Sequence, residues 1–296
     1  ISSEFPPGPG GIGNHAWNLA KNLHGMIPVN LFTISDYADS NQCQIFDANE
    51  NFNIIRFKRF SISIITYINR IIRIINQLRR ENYSYYILSG SFSLSMAPLI
   101  YFFNKNAVIM GVLHGSELIS SNIFLRYIII YSLRCLNKIV SVSYYTQSLI
   151  PIKAIFEQKK FVIPNGVNQA LCDYKLNGYR AVKLSGDPCL LTVGSISHRK
   201  GQINLIKALP AIKKVYPNVH YHCIGLPLEL EKINNLSIRL DVAQNITLHG
   251  FIKNNELASI YSQADILIML SQNKVRFSAE GFGITILEAM KAKKII

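Results

Sequence analysis

Acidic residues are scarce in this chain: 17 Asp and Glu stand against 31 Lys and Arg in 296 residues, a formal net charge of +14. Long apolar runs are missing as well. The longest, within RYIIIYSLR, falls far short of the roughly 20 residues that a membrane-spanning helix needs, so no span is expected. The first residues hold no charged stretch followed by an apolar one, and no signal peptide is read in them. Cysteine is sparse and scattered, at 43, 135, 172, 189 and 223, and never in C-x-x-C spacing. That argues against a disulfide framework or a zinc site and fits a reducing cytoplasm. No D-x-D occurs, and no metal site is expected. A dinucleotide site is disfavoured, and there is no repeat of 20 to 50 residues, which removes solenoids.

What is present is ordinary globular composition, 49% apolar and 16% charged, in a length that suits two domains. The basic excess calls for an anionic partner: a phosphate, a membrane surface or a nucleic acid. It is spread evenly. Residues 1–168 hold 15 Lys and Arg against 8 Asp and Glu, and residues 169–296 hold 16 against 9. A biased genomic composition would also account for it. A nucleic-acid role has only the pI in its favour, since no recognition motif or basic-aromatic stripe accompanies it.

Short apolar runs alternate with helical patterns, the signature of a parallel α/β architecture. Strands are expected at 29–34, 85–89, 107–114, 138–142, 160–163, 190–194, 220–224, 246–248 and 266–270. The rhythm breaks in a polar stretch at 168–187 and restarts at CLLTVGSISHRKG. The chain therefore reads as two domains, 1–168 and 169–296.

Five stretches carry chemistry. In FPPGPGGIGNHAWNLAKNL (residues 5–23), Gly10, Gly11 and Gly13 precede a helical pattern. Such a loop delivers N–H groups to an anion at a helix N-terminus, or is simply a tight turn. In GVLHGSEL (111–118), His114 leaves the C-terminal end of a strand, where open α/β sheets bind ligands, although single histidines are commonly ordinary hydrogen-bonded residues. VIPNGVN (162–168) reads as a strand entering a turn at Asn165, or as a turn alone. In LLTVGSISHRKGQINLIKAL (190–209), Arg199 and Lys200 sit on a strand-to-helix loop, placed to neutralise a phosphate or left as solvated charges. Finally SAEGFGITILEAMKAKKII (278–296) sets Gly281, Phe282, Gly283 and Ile284 between Glu280 and Glu288.

In this order the motifs resemble the family 4 retaining glycosyltransferases, enzymes of the GT-B fold in which two Rossmann-like domains face a cleft. The resemblance covers almost the whole chain. It implies an acceptor-side first domain and a nucleotide-sugar donor domain in the second. By resemblance, Glu280 approaches hydroxyls of the donor sugar and Glu288 takes the nucleotide ribose, roles that suit acceptor-only carboxylates. The turn between them aims its N–H groups at the sugar diphosphate, and Lys200 stabilises the departing nucleoside diphosphate. His114 lines the sugar pocket across the cleft, and Gly11, with Gly10 beside it, lies near the reacting centre. The family's usual arginine after the strand-ending glycine is replaced by Ser195, for which Arg199 is a candidate substitute.

The resemblance thus implies retaining transfer of a hexose or related sugar from a nucleoside diphosphate to a saccharide or lipid-linked acceptor. No cofactor and no bound metal are expected. The setting it implies is surface polysaccharide, lipopolysaccharide or glycolipid synthesis, in the cytoplasm or at the inner face of its membrane. Ser195 keeps open a second class, a catalytically impaired nucleotide-sugar binding protein. The resemblance also implies a piece of a longer chain, lacking the very start of the first domain and the closing segment of the second, with low solubility or activity on its own.

Residues 61–82 leave a choice open. Ile64, Ile65, Ile68, Ile71, Ile72, Ile75 and Leu78 recur at helical spacing, with Arg70, Arg73, Arg79 and Arg80 among the remaining positions. This is either a core helix with a solvated basic face or a surface helix that docks on anionic lipid.

Overall fold

A computed structural model describes residues 1–8, 10–34, 39–119, 122–151, 155–167, 182–252, 254–272 and 280–296. The chain divides into two compact units, Ile1–Asn165 and Gly166–Ile296. The boundary read from the sequence at 168 meets residues 168–181, which lie outside the described residues.

The first unit runs α1 (Gly11–His24), β1 (Asn30–Ile34), α2 (Ser40–Ala48), β2 (Asn53–Phe57), α3 (Ser63–Arg80), β3 (Tyr85–Ser89), α4 (Ser91–Ser95), α5 (Ala97–Phe103), β4 (Val108–Leu113), α6 (Ile123–Arg134), β5 (Lys138–Ser141), α7 (Tyr144–Ser148) and β6 (Lys160–Val162). All strand pairs are parallel, in the orders β1-β2 and β3-β4-β5-β6. Residues 1–3 join these two sets. Ser2 N–H donates to Phe32 O and Ser3 N–H to Ser89 O, both at 2.9 Å, while Ser89 N–H donates to Ile1 O at 3.0 Å. One sheet face packs on α3 to α6 through Leu88, Ile109, Leu113, Leu94, Ile100, Ile129 and Leu133. A second cluster of Phe5, Ala16, Ala20, Leu31 and Phe52 packs α1 on β1.

The second unit runs β7 (Cys189–Val193), α8 (Gln202–Val215), β8 (His220–Ile224), α9 (Leu230–Arg239), β9 (Ile246–Gly250), α10 (Asn254–Gln263), β10 (Ile266–Leu267) and α11 (Ile284–Lys291). Its sheet is parallel in the order β10-β7-β8-β9. Period-two alternation along β8 sends Tyr221 and Cys223 to a core with α8 and α9, and Ile224 to a core with α10 and α11. Ile295 bridges to Ile266 beside β10.

Three differences from the sequence reading have physical causes. The strand β2 was not expected: Arg56 interrupts its apolar run and pairs with Asp47 at 2.7 Å. The strand expected at 266–270 closes its regular ladder at Leu267, though Ile268 N–H still donates to Leu191 O at 2.7 Å and Ile268 O accepts from Thr192 Oγ1 at 2.9 Å. The third concerns α3, which follows neither alternative cleanly. Ile74 and Leu78 enter the core, but Ile64, Ile65, Ile68 and Ile72 face solvent. Arg70 is buried instead, its guanidinium 5.6 Å from the ring centres of both Tyr67 and Phe92.

Pairing of β8 with β9 also sets a third histidine beside two that are two residues apart in the chain. His220, His222 and His249 stack with ring centres 4.5 and 5.1 Å apart, and His222 Nδ1 lies 2.8 Å from His249 Nε2. The rings bond one another and Ser185, with no common point of convergence, and among the described residues no group of three His, Cys, Asp or Glu is arranged to hold a metal ion.

Candidate active site

In the second unit the site grows from the loop after β7. Gly194 ends the strand at φ 143°, and a Cβ there would stand 3.2 Å from Lys200 Cε, so the lysine stem lies over the glycine. The loop is pinned by Ile196, fully buried, whose N–H donates to Leu226 O at 2.8 Å. Gln202 braces it from the first turn of α8. Its Nε2 donates to Ser195 O at 3.0 Å, and its Oε1 accepts from Ser197 N–H at 3.3 Å. The loop closes in a single 3₁₀ turn, His198–Lys200, and then Gly201 at φ 75°. A Cβ on Gly201 would fall 2.1 Å from Leu270 O. Glycine is required there on both counts, by the left-handed backbone and by the close approach of a neighbouring chain segment.

That approach brings the end of the 266–272 segment, and Glu280 beyond it, to the basic pair. Arg199 Nη1 and Lys200 Nζ each donate to Glu280 Oε2 at 2.7 Å, and Ser271 Oγ donates to the same oxygen at 3.3 Å. The backbone repeats the join, with Gln272 N–H donating to Arg199 O at 2.8 Å. Burial alone would raise the Glu280 pKa; the adjacent Lys200 and Arg199 outweigh it and hold the carboxyl below the ordinary glutamate range.

After Glu280, Gly281 and Phe282 form a bend and Gly283 turns left-handed at φ 80°, starting α11 at Ile284. The first N–H groups of a helix have no intrahelical acceptor and carry the positive end of its dipole. This turn is therefore suited to an anion. Glu288, one further turn along α11, accepts a 2.6 Å hydrogen bond from Tyr261 Oη. Tyr261 on α10 is almost fully buried. Burial raises the Glu288 pKa and the tyrosine bond opposes that shift in part. A carboxylate accepts several hydrogen bonds, so Tyr261 leaves acceptor capacity for a ligand.

In the first unit His114 follows β4. Its Nε2 lies 2.9 Å from Ser89 Oγ, and its ring meets that of His15 edge-on at 5.0 Å. Burial first, and His15 second, depress its pKa to about 3, so the imidazole is neutral at physiological pH. Glu117 sits beneath, 1% exposed, accepting the His114 N–H at 3.1 and 3.3 Å. Burial pushes its carboxyl up to about 7 against those bonds. Gly10 caps α1 beside the Glu4 carboxylate, which a Cβ there would push aside, whereas Gly11 is exposed to open space. Asn165 ends the unit with its Oδ1 buried and without a partner among the described residues.

The structure thus brings Arg199, Lys200 and Glu280 together and places Glu288 on a separate partner. Sequence reading did not single out Ser271, Gln202, Tyr261, His15, Ser89 or Glu117. Glu117 had a signal, three residues after His114 in H-G-S-E; Gln202 and Ser271 act within nine residues along the chain but lie in no motif, and Tyr261, His15 and Ser89 are neighbours through packing of distant segments.

The chain has the α/β GT-B fold. It superposes on Anabaena HepE in complex with UDP and glucose with a TM-score of 0.74 at 16% identity, covering 98% of this chain and 77% of that one. For the sucrose-phosphate synthase of Thermosynechococcus elongatus the TM-score is 0.75 at 17% identity, covering 99% and 76%. Residues 180–296 match the family described as glycosyl transferases group 1. An uncharacterized glycosyltransferase of Methanocaldococcus jannaschii is 30% identical over 143 residues, 46% of this chain and 35% of that protein. A GDP-mannose-dependent alpha-(1-6)-phosphatidylinositol monomannoside mannosyltransferase of Mycobacterium tuberculosis is 29% identical over 111 residues, 37% of this chain and 29% of that protein. The chain therefore spans about a third of the length of these curated relatives.

Proposed function

We propose that the protein is a glycosyltransferase that moves a sugar from a nucleoside-diphosphate sugar to a hydroxyl acceptor. The observation that carries this is the convergence of Arg199, Lys200 and Glu280 inside the segment that matches glycosyl transferases group 1. Donor binding places the diphosphate by the two cations and the first turn of α11. As the bond from the sugar carbon to the phosphate oxygen breaks, negative charge grows on the departing diphosphate, and Lys200 and Arg199 stabilise it there. Glu280 accepts from sugar hydroxyls and Glu288 from the ribose. The acceptor oxygen forms the new bond and its proton leaves with the diphosphate. Transfer on this reading is retaining and rests on orientation and leaving-group stabilisation, with no metal and no cofactor. His114, neutral, is the group the first unit offers to hydroxyls, with the buried Glu117 beneath it holding its backbone N–H.

The acceptor is a saccharide or lipid-linked saccharide in surface polysaccharide or glycolipid synthesis. The mannosyltransferase relative named for a phosphatidylinositol mannoside supports that class, as does fold likeness to the lipopolysaccharide outer core galactosyltransferase WaaB. UDP, GDP and ADP are to be screened first by thermal shift. A ligand at 100 times its Kd stabilises by about 2.7 kcal/mol. Transfer from the labelled sugar nucleotide of the selected base then tests the reading: Lys200→Ala and Glu280→Ala should each lower it strongly with the fold intact. Near-normal transfer in both removes the site assignment. Ser195, in the place of the family's arginine, favours one alternative, a binding protein; nucleotide stabilisation with neither transfer nor hydrolysis would establish it.

A further inference from the structure

The segment 268–272 meets every part of the candidate site in the second unit. Leu270 O closes over Gly201, Gln272 N–H donates to Arg199 O at 2.8 Å, and Ser271 Oγ donates to Glu280 Oε2 at 3.3 Å. Met269 reaches the turn that opens α11. A Cβ on Gly283 would stand 2.8 Å from Met269 Cε, and Thr285 Oγ1 donates to Met269 Sδ at 3.8 Å. A shift of this segment would therefore move the basic pair, the Glu280 carboxylate and the anion turn together. Regular pairing holds it only at its start, because β10 has two residues, Ile266 and Leu267.

Beyond Leu267 the hold passes to a side chain on β7. Thr192 Oγ1 donates to Ile268 O at 2.9 Å, next to the bond from Ile268 N–H to Leu191 O, so a hydroxyl carries the pairing one residue past the ladder. Behind it, Tyr221 Oη lies 2.8 Å from Thr192 Oγ1. The far end fixes the direction of this chain of bonds. A carbonyl only accepts, so the single hydrogen of the Thr192 hydroxyl is committed to Ile268 O, and Tyr221 must donate to Thr192. Tyr221 is fully buried on β8, and burial keeps its phenol protonated by raising its pKa well above the ordinary value. Core packing does not call for these two hydroxyls: phenylalanine and valine would fill the same space without polar groups to desolvate. The one group the pair acts on is a carbonyl of the segment that carries the site.

We infer that Tyr221 and Thr192 are positioning residues, a buried hydroxyl relay that fixes the 268–272 segment from the core of the second unit and thereby sets Glu280, Arg199 and the Gly283 turn for the donor. The inference rests on the sugar-transfer reading for what the site does, and on the bonding alone for the relay's hold on the segment.

Thr192→Val, Thr192→Ser and Tyr221→Phe test it, read by amide hydrogen exchange of residues 266–272 against α9 as internal reference, and by donor kinetics. A net hydrogen bond is worth a factor of roughly two to ten, so Thr192→Val should speed exchange of 266–272 relative to α9 by about that factor. Transfer should fall at least about as much, with kcat reduced more than donor KM is raised, because misplaced groups lose most in the transition state. Thr192→Ser keeps the donor and should restore both readouts. Tyr221→Phe leaves Thr192 its bond to Ile268 but removes its support, so it should move both in the same direction by less, and it carries the test if Thr192→Val does not fold. Exchange that rises equally in 266–272 and α9 overturns the inference, as does unchanged transfer with the segment loosened, or a serine variant as loose as the valine one. If the unaltered protein transfers no sugar, the sugar-transfer reading fails separately. The relay is then decided by exchange with UDP and GDP affinity: a local rise with weaker binding upholds it, and anything less overturns it.

Discussion

Replacing Glu280 by Gln should tighten nucleoside diphosphate binding while lowering transfer. Glu280 Oε2 accepts from Arg199 Nη1 and Lys200 Nζ at 2.7 Å and from Ser271 Oγ at 3.3 Å. The two cations assigned to the leaving diphosphate are thus engaged by an internal anion, and a ligand phosphate must compete with it. Glutamine keeps the shape and one acceptor oxygen but removes the charge. A hydrogen bond to a charged group is worth about 1.5–3 kcal/mol. Returning one such bond to the ligand corresponds to a roughly ten- to hundredfold lower Kd, at about 1.4 kcal/mol per factor of ten. The ligand-free protein should melt lower, because Arg199 and Lys200 lose their shared counter-charge. Since the Glu280 pKa is depressed, the pair's contribution is present above the ordinary glutamate pKa of 4.5 and is lost as pH falls through the lower folded value. Calorimetric titration of UDP and GDP into both proteins at neutral pH checks the binding, and Lys200→Met in the Glu280→Gln background should abolish the gain. Equal or weaker binding by Glu280→Gln with an unchanged melting temperature would refute the competition.

Tyr261→Phe removes the hydroxyl that donates to Glu288 and little volume. The Glu288 pKa should rise further, so donor KM should increase more than kcat changes, with the loss greatest at the acid end of the pH profile; a fall in melting temperature alone would show that Tyr261 only packs. His220, His222 and His249 all have pKa values lowered by burial first, aided at His220 and His249 by neighbouring histidines. Between those values and about 6.5 the unfolded chain binds more protons than the fold. Stability is therefore complete above about pH 6.5 and declines as pH falls, with a limiting slope near 1.4 kcal/mol per pH unit for each histidine. Two imidazolium rings 4.5 Å apart would repel by roughly 4 kcal/mol at an effective dielectric of 20. Unfolding followed by circular dichroism from pH 5 to 8 should show a shallower slope in His249→Gln, while Trp17 fluorescence reports on the first unit separately. An unaltered slope would count against the stack.

Local pattern carried much of this protein. Alternation of apolar strands and amphipathic helices is a nearest-neighbour property, and it placed β1 and β3 to β9 within a residue or two. Strand-to-helix loops rich in glycine are also local, so Gly10, Gly194, Gly201 and Gly283 could be read as turn positions before any contact was known. Glu280, Lys200 and Arg199 could be named because each lies in a recognisable short motif. What they bind when no ligand is present was not legible: 80 residues separate Lys200 from Glu280, and only the parallel pairing of β7 with β10 sets the two segments side by side. The same holds for Tyr261 with Glu288 and for the histidine stack, where adjacent parallel strands supply a proximity that spacing along the chain does not encode. Helix α3 shows the limit most plainly. Its periodicity specified an apolar face and left open which way that face would turn; packing decided, because Ile74 and Leu78 fill the core beside β3 and Arg70 spreads over Tyr67 and Phe92, leaving the first isoleucines on the outside.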